Sequence, residues 1–316
     1  MYAHQVIEDT RSLLGQNIGK TPYINFLNKM QRDIASSVHF HIQDLSSSFD
    51  SLHIEGHKGM FLECGADLRL PFNNIWVDCD DNIAPSKDDL ENPDRFLAQS
   101  RGMLVSMMRE DLWTISVASK PKQGQALPSK WLFDPCFLAL SIGRPLIEFP
   151  EMQKMVMPLF KSKPKVAKKL NMIPIPLIED VQSSQQIIKS VLEGDSQRDI
   201  ASLYTFLMLL SCRNIETIDN PPPEKLNKKR IKSGKQPIFT YKTLVIKPTG
   251  KQQKSVPKHL WDNRIHLCRG HFKTYTEDAP LFGKYTGRYW WQPSVRGNKN
   301  KGVVMKDYKL EAVSHA

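Results

Sequence analysis

At 316 residues, 40% apolar and 24% charged, the chain is long enough for one large core or two ordinary ones, and its composition excludes wholesale disorder. No apolar run approaches the ~20 residues that span a bilayer, and the opening MYAHQVIEDT lacks a basic region and an apolar one, so no secretory leader is expected and the chain should stay in the cytoplasm. The net charge of +11 is concentrated at one end: Pro221 to Ala316 carry 21 Lys+Arg against 6 Asp+Glu, whereas Met1 to Asn220 carry 23 against 27.

In chain order, Val6, Leu13 and Leu14 recur at helical spacing, and a second helix from Thr21-Pro22 puts Ile24, Leu27, Ile34 and Val38 on one stripe. Short apolar runs follow, at Gly59 to Cys64, Asn74 to Cys79, Gly102 to Met108 and Leu112 to Ala118, the last two reading as a β-hairpin around Arg109-Glu110-Asp111. The acidic stretch from Asp78 to Asp94 reads as an exposed loop. Asp78, Asp80 and Asp81 at a strand end could hold a metal ion as in metal-dependent nucleases, but a solvated loop is the favoured reading, and no metal or cofactor is expected.

Pro145 to Pro176, rich in proline and lysine, suggests a basic surface loop or short surface helix. Asp195 to Cys212 forms a helix with Ile200, Leu203, Phe206, Leu207 and Leu210 on its apolar face, and Asn220-Pro-Pro-Pro ends that region. Beyond it come a basic helix closed by Gly234, a strand at Ile238 to Lys247, and three strand-like segments at Arg264 to Thr276, Gly287 to Arg296 and Gly302 to Leu310. The expected fold is α+β: helices packed on an antiparallel sheet over residues 1–220, net acidic, and a basic, mainly antiparallel β module over residues 221–316. The five cysteines are widely spaced and include no CxxC pair, which predicts reduced thiols rather than disulfides or a zinc site.

Three constellations carry the candidate chemistry. Arg264, His266, Arg269 and His271 crowd eight residues, and two histidines can act as base and acid in phosphodiester cleavage while arginines hold the charge on phosphorus. Five positions separate the histidines, so a regular strand puts them on opposite faces, and only a bend at Arg269-Gly270 would bring them together. Arg288, Tyr289 and Trp291, followed by Arg296, interleave rings and cations in the manner of a base-stacking surface. Strand alternation leaves about half of that cluster outside a core. Lys228, Lys229, Arg230 and Lys232, with Lys273 further on, supply cations for phosphate contact.

The run N-K-K-R-x-x-x-G-K-x-P from Asn227, R-x-H-x-x-R-G-H from Arg264 and W-x-P-x-x-R-G from Trp291 resemble the C-terminal segment of a widespread group of phage- and prophage-encoded proteins. The resemblance covers roughly the last ninety residues. It implies a phage or prophage setting, and hence the host cytoplasm, and brings no activity with it.

The surplus of positive charge makes a polyanion the expected partner, and phosphate backbones are the commonest one. The leading expectation is a protein that binds DNA or RNA through its C-terminal module. The alternatives are a metal-independent, toxin-like ribonuclease using His266 and His271, and an interaction protein that meets an acidic protein partner.

Overall fold

The computed structural model describes residues 1–15, 21–42, 68–80, 98–121, 130–134, 136–160, 164–177, 196–247, 264–268, 270–291, 294–296 and 298–303. The strand-like run at Gly59 to Cys64 and the lysines Lys161 and Lys163 lie outside them. The chain forms two compact units: Met1–Ser211 with Thr217–Val245, and Cys212–Glu216 with Ile246–Ala316. Residues 217–245 therefore belong with the N-terminal part of the chain, and the division does not fall at the triple proline.

The first unit opens with α1 (Ala3–Gly15) and α2 (Thr21–Ser36). Ala3, Val6, Ile7, Thr10 and Leu13 of α1, and Leu27, Met30 and Ile34 of α2, are buried at the i, i+3, i+4 spacing that gives a helix one inward stripe. Val38, expected to continue the second stripe, instead starts a strand, because α2 ends at Ser36.

The strands are β1 (Val38–Ile42), β2 (Asn74–Asp80), β3 (Ala98–Arg109), β4 (Leu112–Pro121), β5 (Leu132–Phe133), β6 (Cys136–Ser141), β7 (Met172–Pro176), β8 (Ile215–Asn220) and β9 (Tyr241–Ile246). They form one sheet in the order β7-β6-β4-β3-β2-β1-β9-β8, with β5 added on β4. The α+β class holds, and the hairpin of β3 and β4 is antiparallel as expected. The sheet itself is mixed, since β1 runs parallel to both β2 and β9. Parallel neighbours cannot be joined by a tight turn and need long crossovers.

Register assigns the faces. His39 opposes Trp76 and Tyr241, Trp76 opposes Leu104, and Gly102 opposes both Asp78 and Ala118. Trp76, Leu104, Ala118, Phe133 and Tyr241 make one core with the apolar stripes of α1 and α2. Phe40, on the other face, meets Phe206 edge-on at 5.0 Å, which seats α5 (Ser196–Leu210) there. A sheet covered on both faces accounts for apolar residues at successive positions in β2 and β4.

The segment from Pro145 to Pro176 corrects the expectation of a surface loop. It holds a short 3-10 turn (Leu146–Glu148), α3 (Pro150–Leu159), α4 (Pro164–Ala167) and β7. Leu146, Phe149, Met152, Val156 and Ala167 pack with Ile173 and Ile175 in a second core. Pro150 takes the first helical position, where its missing N–H costs nothing, and Pro158 falls in the last turn of α3. Lys165, Lys168 and Lys169 stay exposed around that core.

After β8, α6 (Glu224–Lys232) follows the triple proline and ends as expected at Gly234. The Gly234 N–H donates to Ile231 O at 3.0 Å and the Lys235 N–H to Arg230 O at 2.9 Å, with Gly234 at φ 71°. This paired termination needs a residue in the left-handed region, which glycine supplies without a Cβ penalty.

The second unit contains β10 (Arg264–Cys268), β11 (His271–Tyr275), β12 (Gly287–Trp291), β13 (Ser294–Arg296) and β14 (Asn298–Val303). In place of one antiparallel sheet there are two: β13-β10-β14, with β10 and β14 parallel, and the ribbon β11-β12. Cys136 and Cys212 are buried thiols, and Cys79 is half-buried. No helix among the described residues is long and apolar enough to cross a membrane.

Candidate nucleic-acid interface

The cationic helix α6 buries none of its residues, and side-chain bonds fix how it is turned. Asn227 Nδ2 donates to Ile238 O and Asn227 Oδ1 accepts from the Ile238 N–H, both at 2.8 Å. Arg230 Nε donates to Gln236 O and Arg230 Nη2 to Glu8 Oε1, again at 2.8 Å each. Asn227 and Arg230, three positions apart, thus form the attached side. At ~100° per residue, Lys225, Lys228, Lys229 and Lys232 fall within an arc of roughly 100° centred opposite it. The lysines therefore form one outward stripe. Only Lys228 has an acidic neighbour among the described residues, Glu224 at 3.5 Å, and that pair is open to solvent and weak. Arg230 is different: with Glu8 beside it and a side chain only 18% exposed, its charge is compensated within the protein.

The second unit carries the β11–β12 ribbon. Register pairs His271 with Trp291, Lys273 with Tyr289 and Tyr275 with Gly287 on one face, and Phe272 with Trp290 and Thr274 with Arg288 on the other. Phe272 packs on Trp290 at 4.6 Å between ring centroids. Trp290 is further fixed through its backbone: its N–H donates to Asn214 Oδ1 at 3.0 Å, and its carbonyl accepts from Asn214 Nδ2 at 2.8 Å. Asn214, engaged at both ends of its amide, comes from a stretch more than seventy residues earlier. Its neighbour Arg213 donates its N–H to Arg288 O at 2.8 Å and lays its side chain over Gly287, where a Cβ would meet Arg213 Cγ at 3.1 Å.

On the face with His271, Lys273 reaches to 4.9 Å from the Tyr275 ring centroid, and Tyr275 meets Tyr289 edge-on at 5.8 Å. His271 and Lys273 are exposed and Trp291 is half-buried, whereas Tyr289 is buried. Of the two rings expected to be open to a base, only Trp291 is at the surface. Tyr289 is enclosed along with Trp290, although alternation would place the two on opposite sides, because both faces of the ribbon are partly covered.

The histidine pair does not share a ladder. β10 ends at Cys268 and β11 begins at His271 with buried Gly270 just before it, and the two strands belong to different sheets. In backbone register His266 opposes Arg296. The side chains of Arg264, His266 and Arg296, and all of Arg269, lie outside the described residues.

A separate polar network lies in the first unit around Asp78 and Asp80, where the strand expected at Asn74 to Cys79 overlaps the acidic stretch expected as a loop. Asp78 belongs to β2 and is fully buried. Its Oδ2 accepts from the Tyr2 N–H and its Oδ1 from Trp76 Nε1, both at 2.5 Å, and the Tyr241 hydroxyl also bonds it. Tyr241 OH in turn accepts from the Ala3 N–H at 2.8 Å. Asp80, two positions on, accepts from Tyr2 OH at 2.5 Å and from Ser100 Oγ at 3.1 Å. Burial pushes the Asp78 carboxyl up to about 6, against the nearby Met1 amino nitrogen and the three donors, which favour the ionised form. Burial and the Asp78 charge lift the Tyr241 phenol far above its ordinary value. The bonds run to the chain's own donors and make the network a clasp that fastens Tyr2 and Ala3 to the sheet. Among the described residues no group of three His, Cys, Asp or Glu side chains is placed to hold a metal ion. The signal in the sequence was the strand pattern of Asn74 to Asp80, which carries Asp78 onto the same face as Trp76.

No protein-family model, curated protein or solved structure matches this chain.

Proposed function

We propose that the protein binds nucleic acid through the phosphate backbone, without base-specific readout by its cationic helix. The observation that carries this reading is the stripe of Lys225, Lys228, Lys229 and Lys232 on α6, turned outward by the Asn227 and Arg230 anchors. Four ammonium groups along one side of a short helix form a row that a single acidic side chain cannot neutralise and that a phosphate backbone matches. Lysine is a point charge without a planar fork, so contacts of this kind position a polyanion rather than read its sequence. Taken by itself, the ribbon of the second unit carries Lys273 beside the Tyr275 ring and pairs exposed His271 with Trp291, a composition suited to unpaired bases. A phage or prophage protein in the host cytoplasm would meet both DNA and RNA.

The test is a gel-retardation titration of the purified chain with single-stranded and double-stranded DNA and RNA at about 50 and 200 mM salt. Complex formation that weakens steeply between the two salt concentrations is expected. No complex with any of them at the lower concentration removes the proposal.

A further inference from the structure

The loop that joins β11 to β12 holds Phe282 at φ 53°, and among the described residues no other side-chain-bearing residue adopts a positive φ. A bulky residue there is a true outlier, since its Cβ crowds the following carbonyl. Burial does not compensate: Phe282 is 68% exposed, and Tyr285, three positions on, is 48% exposed. The loop around them is firmly closed. Buried Leu281 exchanges backbone bonds with Tyr285, Leu281 N–H to Tyr285 O at 2.7 Å and Tyr285 N–H to Leu281 O at 3.0 Å, and the Gly283 N–H reaches Pro280 O at 3.2 Å. A rigid tip thus presents two rings to solvent in a conformation that a glycine would adopt more cheaply. Apolar packing within the unit explains neither ring.

The charges beside the rings narrow what they meet. Lys284 Nζ lies 5.4 Å from the Tyr285 centroid. Lys273 and Arg288 lie on the strands that carry the loop, and its acidic residues, Glu277 and Asp278, precede Pro280 on the approach to the tip. Two exposed rings with an ammonium group beside one of them suit a ligand that alternates flat apolar faces with anions, which describes a single-stranded nucleic acid. In a duplex the base faces are already stacked on one another, so the tip would first have to part them.

We infer that the 280–286 tip is a base-stacking element for single-stranded nucleic acid, with Phe282 and Tyr285 as the platforms and Lys284 at the adjoining phosphate. The inference rests on the nucleic-acid reading above and adds the strandedness of the ligand and the residues that recognise it.

The experiment uses the full chain and a single-stranded oligonucleotide carrying 2-aminopurine, with a duplex of the same length and anionic phospholipid vesicles as separate arms. The expected results are a change in 2-aminopurine fluorescence with the single strand, tighter binding to it than to the duplex, and a loss of about tenfold in single-strand affinity for Phe282→Ala. Phe282→Trp should restore the loss, and the salt dependence should stay that of the wild type, because no charge has changed. Phe282→Gly should lose affinity as Ala does while melting above the wild type, because it relieves the backbone. Wild-type affinity and fluorescence in Phe282→Ala overturn the inference and leave the nucleic-acid reading intact. Absence of binding to either oligonucleotide overturns both, and vesicle binding that depends on Phe282 without oligonucleotide binding assigns the tip to a lipid surface instead.

Discussion

Arg230 Nη2 donates to Glu8 Oε1 at 2.8 Å, so the one arginine of the basic helix bonds a carboxylate 222 positions earlier in the chain. Glu8 also accepts from the Gln236 N–H at 2.8 Å, which ties α1, α6 and the turn after α6 at one point. The pairing separates two roles that look alike in the sequence: an arginine that holds the helix and lysines that are left outward.

Replacing Arg230 by Ala is accordingly expected to cost about 1.5–3 kcal/mol of stability, the range for hydrogen bonds to charged groups, with little change in the salt dependence of binding. The triple change Lys225→Ala, Lys229→Ala and Lys232→Ala should do the opposite. It leaves the urea midpoint near that of the wild type and lowers the slope of log K against log salt by about 2–3. Urea denaturation and salt titrations on the same preparations measure both. A reduced slope in Arg230→Ala with unchanged stability would make that residue a phosphate ligand.

Asp78→Asn replaces a carboxylate that serves three donors by an amide that also donates, so at least one donor loses its acceptor inside the core. The expected loss is about 2–4 kcal/mol. Because the folded carboxyl is raised to about 6 and the unfolded one titrates near 4, its contribution to stability is fully present below pH ~4 and lost as pH rises to ~6. The advantage of wild type over Asp78→Asn should therefore shrink across that window and then level off. Equilibrium unfolding of both proteins at intervals from pH 4 to 7 reads this directly, and an advantage that grows with pH contradicts the assignment.

His39 works in the opposite sense. It is buried, stacked on Phe239 at 4.2 Å, with Nε2 bonded to Ile34 O at 2.9 Å. Burial lowers its pKa to about 4, as it does for His4. The unfolded chain takes up these protons near pH 6.5 and the folded one does not, so stability is present above that pH and lost as pH falls toward 4. His39→Phe keeps a flat ring but cannot titrate, and should flatten the acid limb by at most about 3 kcal/mol. Melting temperatures of the variant and the wild type at pH 7 and pH 5 give the comparison; parallel declines would exclude His39 as a source.

Gly102 opposes Asp78 on β3, and the Trp76 indole lies directly over it: a Cβ would stand 2.0 Å from Cζ2 and 2.4 Å from Cη2. Gly102→Ala must displace an indole held by its own bond to Asp78. The expected cost is about 3 kcal/mol, at the upper end for overpacking, with loss of near-ultraviolet tryptophan signal as the second readout. Stability within half a kcal/mol of wild type would mean that the indole moves freely.

The regular elements were legible because local pattern suffices for them. The apolar stripes of α1 and α2, the hairpin of β3 and β4, the helix before the triple proline and the glycine stop of α6 all follow from spacing and turn chemistry within a few positions. The segment 145–176 misled because its lysines and prolines outweigh, in composition, the Leu146, Phe149, Met152 and Val156 spacing that buries it. Asp78 misled for a related reason: charge density marked a loop, while the strand continued through it to Asp80.

What the sequence determined by itself was the α+β class, the positions of α1, α2, α5, α6 and the β3–β4 hairpin, and the concentration of cations after Pro221, since each depends on residue identity and near-neighbour spacing. Tertiary structure decided which cations are outward and which are compensated. It also decided that His266 and His271 start from different sheets, and that Asn214 from far upstream fixes Trp290. Those outcomes depend on contacts between residues tens to hundreds of positions apart, where a side chain's surroundings, rather than its own chemistry, set its exposure and charge.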